Sequence, residues 1–219
     1  MKEVPDITVG ICCFKQKKWL HRCLRSLSSQ TLSLDKFEVI VVNDDPETDI
    51  SDICNAMSET LNLKLVNNQK NLGLPASLNH ILSIAKGRLF VRVDSDDYVS
   101  KHFLYMLGCF LNANEDYQAV YCDYLKVDDI GRKIGKFSAE SNPIACGVMF
   151  TYESLCELGF YNESFKMREG HDLFQRFNER FTSFHLPISL YRYRMHGENR
   201  TNNTQEVSKY DKILGEKNG

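Results

Sequence analysis

The sequence predicts an α/β fold with a central, mostly parallel β-sheet flanked by helices and a small antiparallel second half. In the first half, short apolar runs rich in β-branched residues alternate with segments whose apolar residues recur at helical spacing. Further along, a strand-turn-strand pattern predicts the antiparallel part. The chain has 219 residues, of which 42% are hydrophobic, and this is enough to fill one core.

Strands and helices alternate in the first half. The predicted strands are residues 7–12, 37–42, 61–66 and 89–93, and amphipathic helices are predicted around residues 19–27, 50–57 and 75–85. Pro75 suits the first turn of the third helix, and Gly87 suits its C-terminal stop. Strands joined by crossover helices run parallel, so these four strands are expected to form the parallel sheet.

The second half has a different pattern. A helix is predicted around residues 103–110, strands at 119–127, 133–137 and 146–150, helices at 153–159 and 173–181, and a last strand or extended segment at 189–195. A turn at residues 128–131 makes the first two of these strands a hairpin. We predict one domain over residues 1–200, followed by a polar, loosely packed tail over residues 201–219.

Composition excludes several classes of protein. The formal net charge is −2 with mixed signs, so no basic face for nucleic acid is expected. The eight cysteines include no Cys-x-x-Cys pair, which argues against a structural zinc site and favours reduced thiols in a cytoplasm. We expect no secretory signal and no transmembrane segment. A peripheral membrane contact and a homodimer remain open.

Acidic residues follow two of the predicted strands. Asn43, Asp44 and Asp45 follow the second strand, and residues 94–97 (Asp-Ser-Asp-Asp) follow the fourth. Ligands of open α/β sheets bind beyond the carboxyl ends of the strands. Carboxylates gathered at that edge repel each other unless a cation joins them. This pattern therefore predicts a divalent-ion site, although an acidic turn that caps the next helix would read the same way.

Glycine-rich phosphate loops are absent from the sequence. Neither the GxGxxG pattern of dinucleotide folds nor the GxxxxGK pattern of P-loops occurs in the chain. A bound phosphate is therefore expected to be held through a divalent ion and the substrate's own oxygens.

Four stretches together resemble the family-2 glycosyltransferases of the GT-A fold. They are residues 7–31, residues 41–44, residues 71–97 with their Asp-x-Asp motif, and residues 191–201 (Tyr-Arg-Tyr-Arg-Met-His-Gly-Glu-Asn-Arg-Thr). The order and spacing of these stretches make the resemblance specific, and it runs from residue 7 to about residue 201. The resemblance implies an inverting transfer of sugar from a nucleotide-sugar donor.

The resemblance also implies roles for individual residues. Cys13 and Phe14 would lie against the nucleotide base, and Asp44 would hydrogen-bond to it. Asp94, with Ser95 beside it, would approach the ribose and diphosphate. The implied metal-site residues, for Mn²⁺ or Mg²⁺, are Asp96 and His196, the latter as a ligand or a phosphate contact.

The sequence departs from the family pattern at the catalytic helix. Gly170 stands where an aspartate base is expected, so Glu169 and Asp172 become the candidate bases. Both acids also suit a helix N-terminus, and Asp172 could instead pair with Arg176 one turn on. Of the two candidates, Glu169 is favoured because its longer side chain adjoins the missing aspartate.

The leading hypothesis is transfer of a hexose or acetamido-hexose from a UDP-sugar to a saccharide or lipid-linked saccharide hydroxyl. A sugar nucleotidyltransferase is an alternative, but it would need a basic, glycine-rich loop after the first strand, and only Lys15 is basic there. The Gly170 departure supports a third hypothesis, a catalytically inactive relative that still binds nucleotide-sugars. The only tryptophan, Trp19, is expected to be a core residue because it lies on the apolar stripe of the first helix.

Overall fold

The structure is a computed structural model that describes residues 4–216. Residues 1–3 and 217–219, the two ends of the predicted domain and tail, lie outside the described part. The strands are β1 (Ile7–Cys13), β2 (Phe37–Asn43), β3 (Leu63–Asn67), β4 (Leu89–Arg92), β5 (Tyr98–Val99), β6 (Ala119–Val127), β7 (Lys133–Phe137), β8 (Val148–Thr151) and β9 (Ser183–Arg194). The α-helices are α1 (Lys17–Ser28), α2 (Ser51–Ser58), α3 (Leu74–Ile84), α4 (Phe103–Ala113), α5 (Tyr152–Leu158), α6 (Glu169–Asn178) and α7 (Thr204–Glu216).

The strands form one curled, mixed sheet in the order β3-β2-β1-β4-β8-β6-β9-β5, with β7 paired to β6. The first four neighbours, β3, β2, β1 and β4, are parallel, as the sequence predicts. Their carboxyl ends therefore meet at one edge, where the acidic segments follow β2 and β4. The predicted α/β class with a mostly parallel sheet flanked by helices is confirmed.

Buried strands explain why the first half could be predicted. All seven residues of β2 and all four of β4 are buried, so both strands are continuous apolar runs apart from a few polar positions. Gly87 differs from its predicted role. Helix α3 ends at Ile84, and a Cβ at Gly87 would collide with the Thr8 backbone nitrogen. Glycine is needed there for close packing against β1, not to stop the helix.

The second half is less antiparallel than the sequence predicts. β8 is antiparallel to both β4 and β6, and β7 is antiparallel to β6, but β9 runs parallel to β6. β9 also begins at Ser183, six residues before the predicted strand, and the pairing register shifts opposite the segment that contains Pro187. Proline interrupts a ladder of hydrogen bonds, so the sequence signal covered only the part of the strand after it.

The C-terminal segment is helical and was wrongly predicted to be loosely packed. Tyr210 of α7 is buried against Phe165 and Met167, and Val207 and Ile213 pack around them. An ion pair between Arg168 and Asp211 (2.7 Å) holds the same helix. Polar residues hide this helix in the sequence because only one narrow face is apolar.

Two further features bear on the fold. All eight cysteines are free thiols. Among residues 4–216, none of the helices has both the length and the apolar character that crossing a membrane requires.

Candidate active site

A cavity of about 940 Å³ opens at the carboxyl ends of β1, β2 and β4. Its opposite wall is formed by the start of α6, the loop before it and the segment that leads into α7. Predicted site residues that line it are Phe14, Asp44, Asp94, Asp96 and Glu169. Residues that lie far apart in the sequence are thus brought to one cavity by the parallel sheet.

Asp96 is the centre of a small hydrogen-bond cluster. Its Oδ2 accepts from Gln16 Nε2 (2.9 Å) and lies 2.8 Å from His196 Nε2. The Asp96 side chain is 10% exposed and that of His196 is 3% exposed. Asp96 therefore faces the cavity, while His196 supports it from behind.

The hydrogen bonds of His196 fix its tautomer. The Glu198 backbone N–H donates to His196 Nδ1 (3.1 Å), so Nδ1 is an acceptor. The neutral ring then carries its proton on Nε2, which donates to Asp96. A nitrogen that carries a proton is not a metal ligand, so this geometry corrects the predicted ligand role of His196. The residue orients the Asp96 carboxylate instead.

A second cluster joins Asp94 to Glu169 through a buried arginine. Arg92 Nε and Nη2 donate to the two oxygens of Asp94 (2.6 and 3.1 Å), and Nη1 donates to Glu169 Oε1 (2.8 Å). Burial alone would lower the pKa of Arg92, but Asp94 and Glu169 raise it. The guanidinium therefore stays charged and fixes both carboxylates at the cavity wall.

Asp97 lies deeper than the other acids. Its Oδ1 accepts from the Arg194 backbone N–H (2.7 Å), and Cys146 Sγ lies 3.8 Å from Oδ2. Burial and the neighbouring Asp96 and Asp94 raise the pKa of Asp97. Asp94, Asp97 and Cys146 have potential ligand atoms within 4.8 Å of one another. A thiol is a poor ligand for Mg²⁺ or Mn²⁺, so this group suits those ions less well than the carboxylates at the cavity surface.

The residues at the sheet edge fit a hard divalent cation. Asp96 presents a carboxylate to the cavity, and Asp94 presents another beside it. Oxygen ligands of this kind suit Mg²⁺ and Mn²⁺, which keep several ligand positions for water or substrate phosphate. We therefore regard Asp96 as the residue that would hold the ion.

Asp44 anchors the loop that precedes α3. Its Oδ1 accepts from Asn68 Nδ2 and the Leu72 backbone N–H (both 2.8 Å), and Oδ2 accepts from the Gly73 backbone N–H (2.9 Å). The side chain is buried yet lines the cavity. Asp44 therefore has a structural role, which the sequence did not predict, beside its expected contact with a ligand.

Removing the Asp44 carboxylate should destabilise the fold. In Asp44→Ala three buried donors lose their acceptor, and we expect the free energy of unfolding to fall by about 2–4 kcal/mol. Urea denaturation measures the change. Asn71→Ala is the control, because it removes one exposed hydrogen bond to Gly73 and should cost less than about 1 kcal/mol. Equal losses for the two variants would contradict the anchoring role.

Two predicted nucleotide-binding side chains do not face the cavity. Cys13 is 1% exposed and packs in the main core, whereas its neighbour Cys12 lines the cavity. Successive side chains of a strand alternate between its faces, and two adjacent cysteines give no signal for which one faces out. Ser95 is fully buried and donates to Gln16 Oε1 (2.5 Å). The predictions for the Cys13 and Ser95 side chains are corrected accordingly.

Phe14 and Lys15 form the rim of the cavity. Phe14 is 40% exposed, an unusual environment for a phenylalanine, and its ring lies 5.3 Å from the Lys15 ammonium. Lys15 adopts a left-handed backbone conformation, with φ of 58°. This conformation is unfavourable for a residue with a Cβ atom.

Relieving the backbone of Lys15 should stabilise the protein. Glycine adopts a positive φ without steric cost, so we expect Lys15→Gly to raise the free energy of unfolding by about 0.5–1 kcal/mol. Lys15→Ala is the matched control, since it removes the charge but keeps the Cβ atom. If urea denaturation shows that the glycine variant is no more stable than the alanine variant, the strain does not exist.

The start of α6 separates the two candidate bases. Glu169 lines the cavity, but Asp172 is 1% exposed and pairs with Arg176 Nε (2.9 Å). Asp172 is not among the residues that line the cavity, so the structure corrects its predicted catalytic role and confirms the alternative of a pair with Arg176. A Cβ at Gly170 would collide with that of Ala145, so the loop that contains Ala145 fills the space of the missing side chain.

Three site residues were missed by the sequence analysis. Arg92 is a charged residue inside an otherwise apolar strand beside an acidic motif, and this signal could have identified it. Gln16, which contacts Asp96 and Ser95, has no such signal. His171 lines the cavity, and burial and the Arg168 guanidinium lower its pKa.

Comparison with solved structures supports the fold. *S. aureus* TarS 1–349 in complex with UDP-GlcNAc superimposes with a TM-score of 0.76 at 19% identity, over 90% of this chain and 61% of that one. The mannosyltransferase PcManGT from *Pyrobaculum calidifontis*, in complex with GDP-Man and Mn²⁺, gives 0.72 at 20% identity, over 90% and 59%. At these identities the likeness shows the GT-A fold.

Sequence comparison identifies the family. The putative glycosyltransferase EpsH of *Bacillus subtilis* (strain 168) is 26% identical over 140 residues, which are 64% of this chain and 40% of EpsH. The poly(ribitol-phosphate) beta-glucosyltransferase of *Bacillus spizizenii* is 34% identical over 112 residues, 50% of this chain and 18% of that protein. The chain thus spans less than half the length of these two relatives. The profile of glycosyl transferase family 2 matches residues 8–185, most of the chain. The chain belongs to glycosyl transferase family 2.

Proposed function

We propose that the protein transfers a hexose or acetamido-hexose from a UDP-sugar to a hydroxyl of a saccharide or lipid-linked saccharide, with inversion and with Mn²⁺ or Mg²⁺. The observation that carries this proposal is the position of Asp96. It presents a carboxylate, oriented by Gln16 and His196, to a cavity that is also lined by Phe14 and Asp44. A nucleotide, its diphosphate and a cation can then share one site.

Phe14 and Asp44 would bind the nucleotide. The exposed Phe14 ring offers a face for stacking of a base. Asp44 Oδ2 accepts one hydrogen bond within the described part of the chain, so it can accept another from a base N–H such as N3–H of uracil. Loss of Asp44 should therefore relax the discrimination between bases as well as weaken binding.

Asp96 would hold the metal, and Asp94 would face the ribose and diphosphate. A bound Mn²⁺ or Mg²⁺ supplies positive charge that stabilises the departing nucleoside diphosphate. His196 would keep the Asp96 carboxylate in the orientation that binds the ion. Arg92 would keep Asp94 fixed through its two hydrogen bonds.

Glu169 would take the proton of the acceptor hydroxyl. Its Oε1 is held by Arg92, and Oε2 accepts no hydrogen bond from residues 4–216. The acceptor oxygen would attack the anomeric carbon while the bond from that carbon to the diphosphate breaks. The hydroxyl proton passes to Glu169, and the nucleoside diphosphate leaves with the bonding electron pair. A single displacement of this kind inverts the anomeric centre.

The relatives guide the choice of donor and acceptor. One of them is named for glucosyl transfer to poly(ribitol-phosphate), and the TarS structure contains UDP-GlcNAc. These names support a UDP-sugar and a role in polysaccharide or glycoconjugate synthesis. The PcManGT structure contains GDP-Man, so GDP-sugars belong in the test. Eight free thiols suit a reducing compartment, and we place the reaction in the cytoplasm.

A thermal-shift screen tests the donor class. UDP, GDP, UDP-glucose, UDP-GlcNAc and GDP-mannose are each added with Mn²⁺ or with EDTA. A ligand at about 100 times its dissociation constant stabilises the fold by about 2.7 kcal/mol, which raises the melting temperature by several degrees. We expect UDP compounds to do so with Mn²⁺. Stabilisation by none of the five compounds would contradict the proposal.

A catalytically inactive relative is the second candidate. The packing of Ala145 against Gly170 leaves no room for an aspartate, and this observation favours it. Such a protein would bind UDP-sugars with Mn²⁺ but would not release UDP from them. Measuring UDP release in the presence of saccharide acceptors distinguishes the two candidates.

A further inference from the structure

Trp19 lies beside the proposed metal site. Its ring and the imidazole of His196 are stacked with centroids 4.0 Å apart and planes tilted by 35°. Trp19 is 6% exposed, as expected for a core residue. The groups around its ring, however, include an imidazole, an ammonium and a carboxylate, which purely apolar packing would not require.

The indole is fixed at its edge and at its face. Nε1–H donates to Asp129 Oδ1 (3.0 Å) in the turn between β6 and β7. The Lys18 ammonium lies 3.8 Å from the ring centroid and also pairs with Glu198 Oε1 (3.6 Å). Trp19 therefore has a single orientation, set by α1 on one side and by the hairpin turn on the other.

The imidazole has no regular secondary structure to hold it. His196 follows the end of β9 and precedes a 3-10 turn. Its contacts are the Trp19 face, the Glu198 N–H on Nδ1 and the Asp96 carboxylate on Nε2. Of these, the Trp19 face sets the plane of the ring, and the plane decides whether Nε2 points at Asp96.

We propose that Trp19 is a positioning residue that holds His196, and through it the Asp96 carboxylate, in the orientation that binds the metal and diphosphate. This inference rests on the proposed function for the role of Asp96. Aromatic stacking of this kind changes an equilibrium by about three- to ten-fold. Trp19 should therefore affect the metal-dependent part of nucleotide binding and leave the rest unchanged.

The test compares UDP dissociation constants with Mn²⁺ and with EDTA by calorimetry. In Trp19→Leu we expect the gain in affinity from Mn²⁺ to fall by about ten-fold, with the value in EDTA unchanged. Trp19→Phe keeps an aromatic face and should lose about three-fold or less. Asp129→Ala removes the edge contact and should fall between them. Leu20→Ala, a core change in the same helix, is the control that lowers stability without changing the gain.

A second readout needs neither metal nor nucleotide. Stacking on an indole shifts the ring-proton NMR signals of His196 upfield, and His196→Gln assigns those signals. We expect the shift to disappear in Trp19→Leu and to shrink in Trp19→Phe. If Trp19→Leu is unfolded, the phenylalanine and Asp129 variants decide. An unchanged Mn²⁺ gain in these variants would overturn the positioning role while the proposed function stands. Absence of any Mn²⁺ gain in the unmodified protein would overturn both.

Discussion

Replacing Asp96 with asparagine is expected to abolish the Mn²⁺ dependence of UDP binding and to lower sugar transfer by about 100-fold or more. Asp96 is the carboxylate at the cavity surface that Gln16 and His196 orient. Without its charge, the site has no strong ligand to bring a cation to the diphosphate. Calorimetry with UDP and a UDP-release assay measure the two effects.

The fold should survive this substitution. Asparagine retains an oxygen that can accept hydrogen bonds, and the change relieves repulsion with the neighbouring acids. Asp45→Asn is the control, because Asp45 follows the same sheet edge but bonds to Thr48 and does not line the main cavity. That variant should keep its Mn²⁺ dependence. Undiminished turnover in excess EDTA would contradict a role for the metal.

Glu169→Gln should lower turnover by about 10²–10⁴-fold with UDP binding preserved, because it removes a general base. Glutamine has nearly the same shape and can still accept a hydrogen bond from Arg92, which also keeps its pair with Asp94. The binding site should therefore remain formed. Turnover and the UDP dissociation constant, measured on the same preparation, separate the loss of chemistry from the loss of binding.

Asp172→Asn is the matched control for Glu169. The two acids lie on the same first turn of α6, but Asp172 is buried against Arg176. We expect turnover to change by less than about ten-fold. Stability should fall, because a buried partner of Arg176 loses its charge. If neither variant lowers turnover by more than about ten-fold, the base lies elsewhere or the chain is the inactive relative.

The fold of the first half could be predicted because its signals are local. Buried parallel strands are continuous apolar runs, and the helices between them carry one apolar face. The second half depends on pairings between distant segments. Nothing in residues 183–194 indicates that this strand runs parallel to β6. In the last helix a signal was present but overlooked, because Val207, Tyr210 and Ile213 recur at helical spacing.

The candidate site shows the same limit. The sequence correctly placed Asp44, Asp94 and Asp96 at one edge, since the ends of parallel strands must meet there. It could not assign orientation within a residue pair, as Cys12 and Cys13 show. It also could not show that Asp172 turns into the helix packing or that Trp19 stacks on His196. Those contacts depend on tertiary packing and have no local pattern.

Calorimetric titration of UDP into the unmodified protein, first with Mn²⁺ and then with EDTA, tests the central claim most directly. We expect binding with Mn²⁺ and a loss of affinity of about ten-fold or more with EDTA, because the diphosphate otherwise faces Asp94 and Asp96 without a cation between them. Equal affinity under the two conditions, or no binding of UDP with Mn²⁺, would contradict a metal-dependent nucleotide-sugar site at this edge of the sheet.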